Sequence, residues 1–148
     1  MSNIYIMALG LTAAAGVAIS LQNPINAGLA RHIGSSLGAT TICFAVGLIA
    51  LLAATLIFGD MPAVLRAPQA PLVLLSGGLL GAFLVWAALY SVPILGVLTL
   101  VAVLIFGQTI AALVIDHFGL FGLEARPVSL NRLLAAGLVL AGIILSRF

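Results

Sequence analysis

The most restrictive feature of this sequence is its long stretches without charge. No Asp, Glu, Lys or Arg occurs in residues 1–30, 33–59 or 67–115. Only 5% of the residues are charged, whereas soluble domains carry about 25%. The chain therefore has too few polar groups to cover a surface that faces water, and we expect it to be embedded in lipid. Because lipid offers no partner for unpaired backbone groups, we expect an all-α integral membrane protein.

Counting spans of about 20 residues predicts five transmembrane helices, with four as the alternative. The expected spans lie near residues 4–27, 37–58, 72–90, 95–116 and 132–147, within a single transmembrane domain that covers residues 1–148. The third and fourth spans share one uncharged stretch, and we expect a turn between them in the sequence SVPILG, because Pro93 disfavours helix at the residue before it. The last segment is the shortest. It crosses only if Arg132 and Arg147 reach opposite interfaces.

The five arginines are divided almost evenly between the two sides of the membrane in this arrangement. One side would hold Arg66, Arg126 and Arg132, and the other Arg31 and Arg147. Orientation normally follows an excess of Lys and Arg in cytoplasmic loops, and three against two is almost no excess. This balance favours a chain that pairs antiparallel and so supplies both halves of an inverted-repeat transporter. A parallel oligomer with a weak charge bias is the alternative.

Amide side chains are gathered in the sequence SLQNPINAGLARHIG, at the end of the first uncharged stretch. Gln22 and Asn26 lie one helical turn apart and share a face. Pro24 is expected to kink the helix, because it removes one backbone hydrogen bond and leaves the carbonyl of Ser20 without its donor. The two amides could contact a solute or close hydrogen bonds between helices, and the sequence supports both interpretations about equally. For Asn23, one position off that face, we expect a structural role.

The fourth predicted span carries a second pair of candidates. Gln108 is expected about 20 Å into the span at 1.5 Å per residue, and therefore within the hydrocarbon. Asp116 lies where the span ends. We favour an ion pair between Asp116 and Arg126 or Arg132 in the headgroup region, and a proton-linked role for this carboxylate is the alternative.

Aromatic residues recur along the third predicted span. Phe83, Trp86 and Tyr90 share one helical face, where ring faces can attract cations by about 0.5–2 kcal/mol or contact flat apolar solutes. Tyr90 could instead anchor the span at the interface. Trp86 and Gln22 fall nearer one side of the membrane and Gln108 nearer the other. Inverting a second copy would bring its Gln108 to the depth of Gln22 and Trp86 in the first copy, so that both chains line one cavity.

Glycines in the predicted spans are expected to serve helix packing, because a glycine lets a neighbouring backbone approach closely. Two of them form a GxxxG pattern in the third span. The candidates are Gly77, Gly81, Gly107, Gly137 and Gly142.

Other chemistries leave no signal in the sequence. Cys43 is the only cysteine, so no internal disulfide forms. No spacing of Cys and His suggests a metal, and no phosphate loop or nucleophile set is present, so we expect neither a cofactor nor an enzyme. The basic residues are too scattered for a nucleic-acid interface.

Four stretches of the sequence resemble the YdcZ-type branch of the drug/metabolite transporter superfamily. They are LQNPINAGLARHIGSSLGATTICFAVG, GGLLGAFLVWAALYSVPILG, IFGQTIAALVIDHFGLFG and RPVSLNRLLAAGLVLAG, and they cover nearly the whole chain in the same order. The resemblance implies an inner-membrane protein that forms five helices of a ten-helix EamA-like transporter, as an antiparallel homodimer or with a sister chain. The GQ pair of Gly107 and Gln108 belongs to the family motif. The substrate is left undefined.

The sequence therefore favours a secondary transporter subunit that moves a small amphipathic or cationic solute by alternating access. Its predicted partners are membrane lipids, the solute and a second chain, and its predicted substrate-binding residues are Gln22, Asn26, Trp86, Tyr90 and Gln108. A passive pore would need a more continuous polar stripe. A non-transporting subunit that orients or stabilises a partner chain is the stronger alternative.

Overall fold

The computed structural model describes residues 3–146, and every regular element in that range is a helix. The α-helices are α1 (Asn3–Ile33), α2 (Ser36–Ile57), α3 (Met61–Val64), α4 (Leu72–Leu75), α5 (Gly77–Leu95), α6 (Val97–Phe118) and α7 (Leu130–Leu145). Single 3₁₀ turns occur in the two longer loops, at Ala67–Gln69 and Leu120–Gly122. The chain divides into two compact units, one up to Ile94 and the other from Leu95 onward.

Four stretches of helix are long and apolar enough to cross a membrane. They are Asn3–Ile33, Ser36–Ile57, Leu72–Leu95 and Val97–Phe118. Helix α7 has 16 residues, so its length is about 24 Å, against about 30 Å for a hydrocarbon core. The described residues thus contain four candidate spans and one shorter apolar helix. Arg147, at the end of the predicted span 132–147, lies outside the described residues.

Helix α5 ends later than the sequence predicted, and the break before α6 lies at the last residue of the predicted turn SVPILG. Helix α5 continues through Pro93 to Leu95, five residues beyond the predicted end at residue 90. Proline is tolerated inside membrane helices because neighbouring groups satisfy the backbone that it leaves unpaired. The break falls instead at Gly96, whose φ of 75° lies in the left-handed region that glycine adopts readily.

In the first unit, α1 and α2 form a helical hairpin around the turn at residues 34–35. Ser35 caps α2, because its Oγ accepts a hydrogen bond of 2.9 Å from the backbone N–H of Gly38. Ala30 of α1 and Ala39 of α2 are buried together with Leu89 of α5. Small side chains at this junction allow the three helices to approach closely.

In the second unit, α7 is joined to α6 near both of its ends. The Thr99 hydroxyl near the start of α6 lies 3.3 Å from the Ser146 hydroxyl that follows α7. At the other end, Arg132 Nη2 donates to Asp116 Oδ2 at 2.9 Å. Ala136, halfway along α7, is buried. The two helices therefore lie alongside each other over most of the length of α7.

Candidate functional site

The two amides predicted on one face of α1 meet a common partner on α2. Gln22 Nε2 and Asn26 Nδ2 donate to Cys43 Sγ over 3.3 and 3.2 Å. Asn26 is buried, whereas Gln22 is exposed. A thiol is a weak acceptor, and each amide also carries a carbonyl oxygen and a second N–H. Both amides thus keep capacity for a further partner.

Cys43 was not among the residues predicted for the site, although the hairpin geometry could have found it. Asn26 lies eight positions before the turn at residues 34–35, and Cys43 lies eight positions after it. Ala30 and Ala39, four positions on either side, are packed together. Residues equally far from a tight helical turn face each other, so this rule pairs an amide on α1 with the thiol on α2.

Asn23 has an unsatisfied donor in the described part of the chain. Its side chain is 5% exposed, and its Nδ2 has no hydrogen-bond partner there. An unpaired buried donor costs about 1–3 kcal/mol. The structural role predicted for Asn23 stays a prediction.

Helix α1 is continuous through Pro24. The Ser20 hydroxyl donates to the Gly16 carbonyl at 3.0 Å, as hydroxyls in helices commonly do. Gln22 and Asn26 donate to Cys43, and no described contact directs them to the carbonyl that Pro24 leaves unpaired.

The aromatic residues of α5 form a row of neighbouring rings. The Trp86 ring centroid lies 6.1 Å from that of Phe83 and 6.2 Å from that of Tyr90, with the latter two rings stacked at 27°. Trp86 is 39% exposed and Tyr90 61%. Because Trp86 lies nine residues from each end of α5, its indole is placed at the centre of the helix.

Two grooves lie between α2 and α5, and Phe44 lines both. The first, here called the aromatic groove, has a volume of about 500 Å³ and is lined by Leu37, Thr40, Thr41, Phe44, Ala82, Phe83 and Trp86. The second, the amide groove, has a volume of about 300 Å³ and is lined by Gln22, Cys43, Phe44, Gly47, Leu48, Leu51 and Val85. Tyr90 is not among the lining residues of either groove.

The aromatic groove is less polar than its residue types suggest. The hydroxyls of Thr40 and Thr41 donate to the carbonyls of Ser36 and Leu37 at 2.9 and 3.0 Å. Their hydrogen bonds are thus made within α2, and rings and methyl groups dominate the groove. The structure brings Gln22 and Trp86, which the sequence placed at a similar depth, to neighbouring grooves that share a wall.

Gln108 lies at the centre of α6. It is eleven residues from Val97 and ten from Phe118, it is exposed, and no hydrogen bond to it is found among residues 3–146. The sequence predicted that Gln108 lies nearer one end of its span. The expected span 95–116 begins and ends two residues before α6 does. A side chain at the centre of a span keeps its depth when the span is inverted, so the depth of Gln108 does not distinguish antiparallel from parallel pairing.

Asp116 forms an ion pair with Arg132 over 2.9 Å, and both side chains are about one-third exposed (34% and 32%). The Asp116 carbonyl also accepts a bond of 2.7 Å from the backbone N–H of Arg126. The Arg126 guanidinium lies 3.7 Å from Glu124 instead. The end of α6 is thus tied both to the following loop and to α7.

The glycines predicted to serve packing differ in their surroundings. A Cβ placed on Gly81 would lie 3.7 Å from Cζ of Phe44, which is ordinary van der Waals contact. Within the described residues, no atom lies within 4 Å of a Cβ placed on Gly77, Gly107, Gly137 or Gly142. A packing role for these four needs a neighbour from outside the described part of the chain.

The family of the chain follows from a comparison with known proteins. The family model described as "Putative inner membrane exporter, YdcZ" matches residues 7–145. The chain belongs to the YdcZ family. It is therefore an integral protein of the inner membrane, and the resemblance drawn from its motifs is confirmed. The description of the family is that of a membrane exporter. No match was found among curated proteins or among solved structures.

Replacing Cys43 by alanine removes the acceptor that Gln22 and Asn26 share. We expect this change to lower the free energy of unfolding of this YdcZ protein by about 1–2 kcal/mol, because the buried Asn26 amide is left unpaired. Cys43→Ser keeps an acceptor at this place and should cost less. Denaturant unfolding in detergent micelles measures both variants. Equal stability of the alanine and serine variants would contradict the hydrogen-bonding role of the thiol.

Proposed function

We propose that this YdcZ protein is a five-helix half of a ten-helix secondary transporter that moves a small amphipathic or cationic solute by alternating access. A second copy or a sister chain, inserted antiparallel, completes the transporter. Gln22, Asn26, Trp86, Tyr90 and Gln108 are its proposed solute-binding residues. In transporters built from inverted halves, the site lies near the midplane where the halves meet.

The observation that carries this proposal is the meeting of an amide groove and an aromatic groove on the two sides of Phe44. An amphipathic solute has an apolar part that suits the rings of Trp86 and Phe83, and a polar part that suits the amide of Gln22. Ring faces also attract cations. Binding pockets are typically apolar with a few polar groups that fix orientation, and these grooves have that composition.

The fifth span is supported by the two contacts that join α7 to α6. Thr99 and Asp116 are separated by 17 residues, which is about 25 Å along α6. Their partners on α7, Ser146 and Arg132, lie at opposite ends of that helix. If α6 crosses the membrane, α7 covers most of the same depth.

The need for a second chain is supported by Gln108. An amide exposed at the centre of a membrane span is costly unless something other than lipid covers it. The adjacent Gly107 and the two glycines of α7 have open space beside them, which would accommodate a close helix. The balanced arginines favour the antiparallel arrangement over the parallel one.

Flux measurements in proteoliposomes test the proposed function. The probe is N-butylpyridinium, which combines a flat ring, a fixed positive charge and a short apolar chain. We expect saturable uptake, whereas unsaturated leak would indicate a pore, and uptake only after a second chain is added would indicate a sister-chain partner. Leu79→Ala, at a 76% exposed position of α5 outside both grooves, is the matched control and should leave uptake unchanged.

Asp116→Asn is expected to retain transport of the probe and to lower the free energy of unfolding by no more than about 1 kcal/mol, because partly exposed ion pairs contribute little. Arg132→Gln should have a similar effect, and salt should reduce both. The measurements are uptake and denaturant unfolding at low and high ionic strength. Loss of uptake in Asp116→Asn with unchanged stability would instead indicate the proton-linked role.

A further inference from the structure

Phe44 is the residue that the two grooves share. On α2 the aromatic groove is otherwise bordered by Leu37, Thr40 and Thr41, and the amide groove by Cys43 and residues 47–51. The Phe44 side chain is 41% exposed, so the ring stands in the space between the helices.

Gly81 on α5 lies opposite the ring of Phe44. A Cβ built on Gly81 would lie 3.7 and 4.0 Å from Cζ and Cε1 of Phe44. The tip of the ring therefore reaches α5 at a position that has no side chain. The ring of Phe44 thus lies beside the backbone of α5, in the wall that the aromatic groove and the amide groove share.

Phe44 divides the length of the two grooves almost equally. It is seven residues from Leu37 and seven from Leu51, which is about 10 Å along the helix on each side. Together the two grooves extend over about 20 Å of α2, which is two-thirds of a hydrocarbon core of about 30 Å.

We propose that Phe44 is a specificity-determining residue that limits the length of the solute in this site. This inference rests on the proposed function, because it assigns the α2–α5 grooves to the solute. The apolar part of the solute occupies the aromatic groove against Trp86 and ends at the ring of Phe44. Solutes with longer chains gain no further contact in the native protein, since the added carbons meet the ring.

The test uses the full-length protein in micelles and a series of N-alkylpyridinium ions from ethyl to octyl. Trp86 is the only tryptophan, so quenching of its fluorescence reports binding in the aromatic groove. Each buried methylene raises affinity about fourfold. In the native protein we expect affinity to rise with chain length and then to level off. In Phe44→Ala the rise should continue, so that the affinity ratio of variant to native protein reaches about tenfold for octyl and stays near one for ethyl.

Phe83→Ala is the matched control, because it removes the same ring from the aromatic groove without joining the grooves. It should weaken all members of the series by a similar factor. Phe44→Leu should show an intermediate length dependence, and it carries the comparison if Phe44→Ala does not fold by circular dichroism and gel filtration. If a folded variant has the same affinity ratio to native protein for ethyl as for octyl, the role assigned to Phe44 is wrong and the proposed function is unaffected. Absence of saturable quenching in the native protein would overturn the proposed function as well.

Discussion

Replacing Trp86 with alanine should raise the KM for N-butylpyridinium uptake about 30-fold, which corresponds to about 2 kcal/mol of lost binding. The indole lies at the centre of α5, between the rings of Phe83 and Tyr90, and lines the larger of the two grooves. Its removal eliminates both the ring face that attracts the cation and much of the apolar wall. The variant protein is compared with the native one by initial uptake rates in proteoliposomes.

Trp86→Phe provides the first control, because it keeps a ring at this position and should raise the KM only about threefold. Tyr90→Ala provides the second. Tyr90 contacts Trp86 but is not among the residues that line either groove, so its removal should have a smaller effect than removal of Trp86. A Trp86→Ala variant with native KM and poor assembly would show that the indole serves packing and that the assigned site is wrong.

Gln108→Leu is expected to reduce the uptake rate at least tenfold while leaving the free energy of unfolding in micelles unchanged or higher. The amide is exposed at the centre of α6 without a described partner. Leucine is more favourable than an amide wherever lipid or detergent covers this position. A loss of uptake without a loss of stability therefore separates a solute-binding amide from a structural one.

Thr109→Val is the matched control for this prediction. Thr109 is the next residue of α6, and its hydroxyl donates to the Ile105 carbonyl at 2.7 Å, so its polar group is already used within the helix. Valine should leave uptake close to native. If Gln108→Leu instead dissociates the assembly, the amide joins two chains and takes no direct part in solute binding.

The sequence predicted well what depends on composition and local spacing. Uncharged stretches indicated the membrane helices, and the one-turn spacing of Gln22 and Asn26 placed both amides against one partner. The prediction was less successful where backbone geometry competes with residue preference. Pro93 favours a turn by its chemistry, yet α5 passes through it and ends at Leu95, because a membrane helix can satisfy the exposed backbone elsewhere.

Contacts between helices were the main part that the sequence did not predict. Cys43 was interpreted only as a lone thiol, although it accepts hydrogen bonds from both amides. Phe44 carries no local signal, since a phenylalanine in an apolar helix is ordinary, and its role depends on Gly81 being opposite. Such pairings follow from helix register, which periodicity along one helix does not determine.

Antiparallel pairing is the central claim, and variants locked in one orientation test it most directly. The first locked variant combines Arg31→Gln with Gln69→Lys, which moves positive charge to one side of the membrane. The second combines Arg66→Gln, Arg126→Gln and His32→Lys, which moves positive charge to the other side. The side on which each terminus lies is read in intact cells, together with transport of N-butylpyridinium. We predict that native protein inserts both ways, that each locked variant alone transports poorly, and that the two together restore transport. Native transport by either locked variant alone would contradict the account.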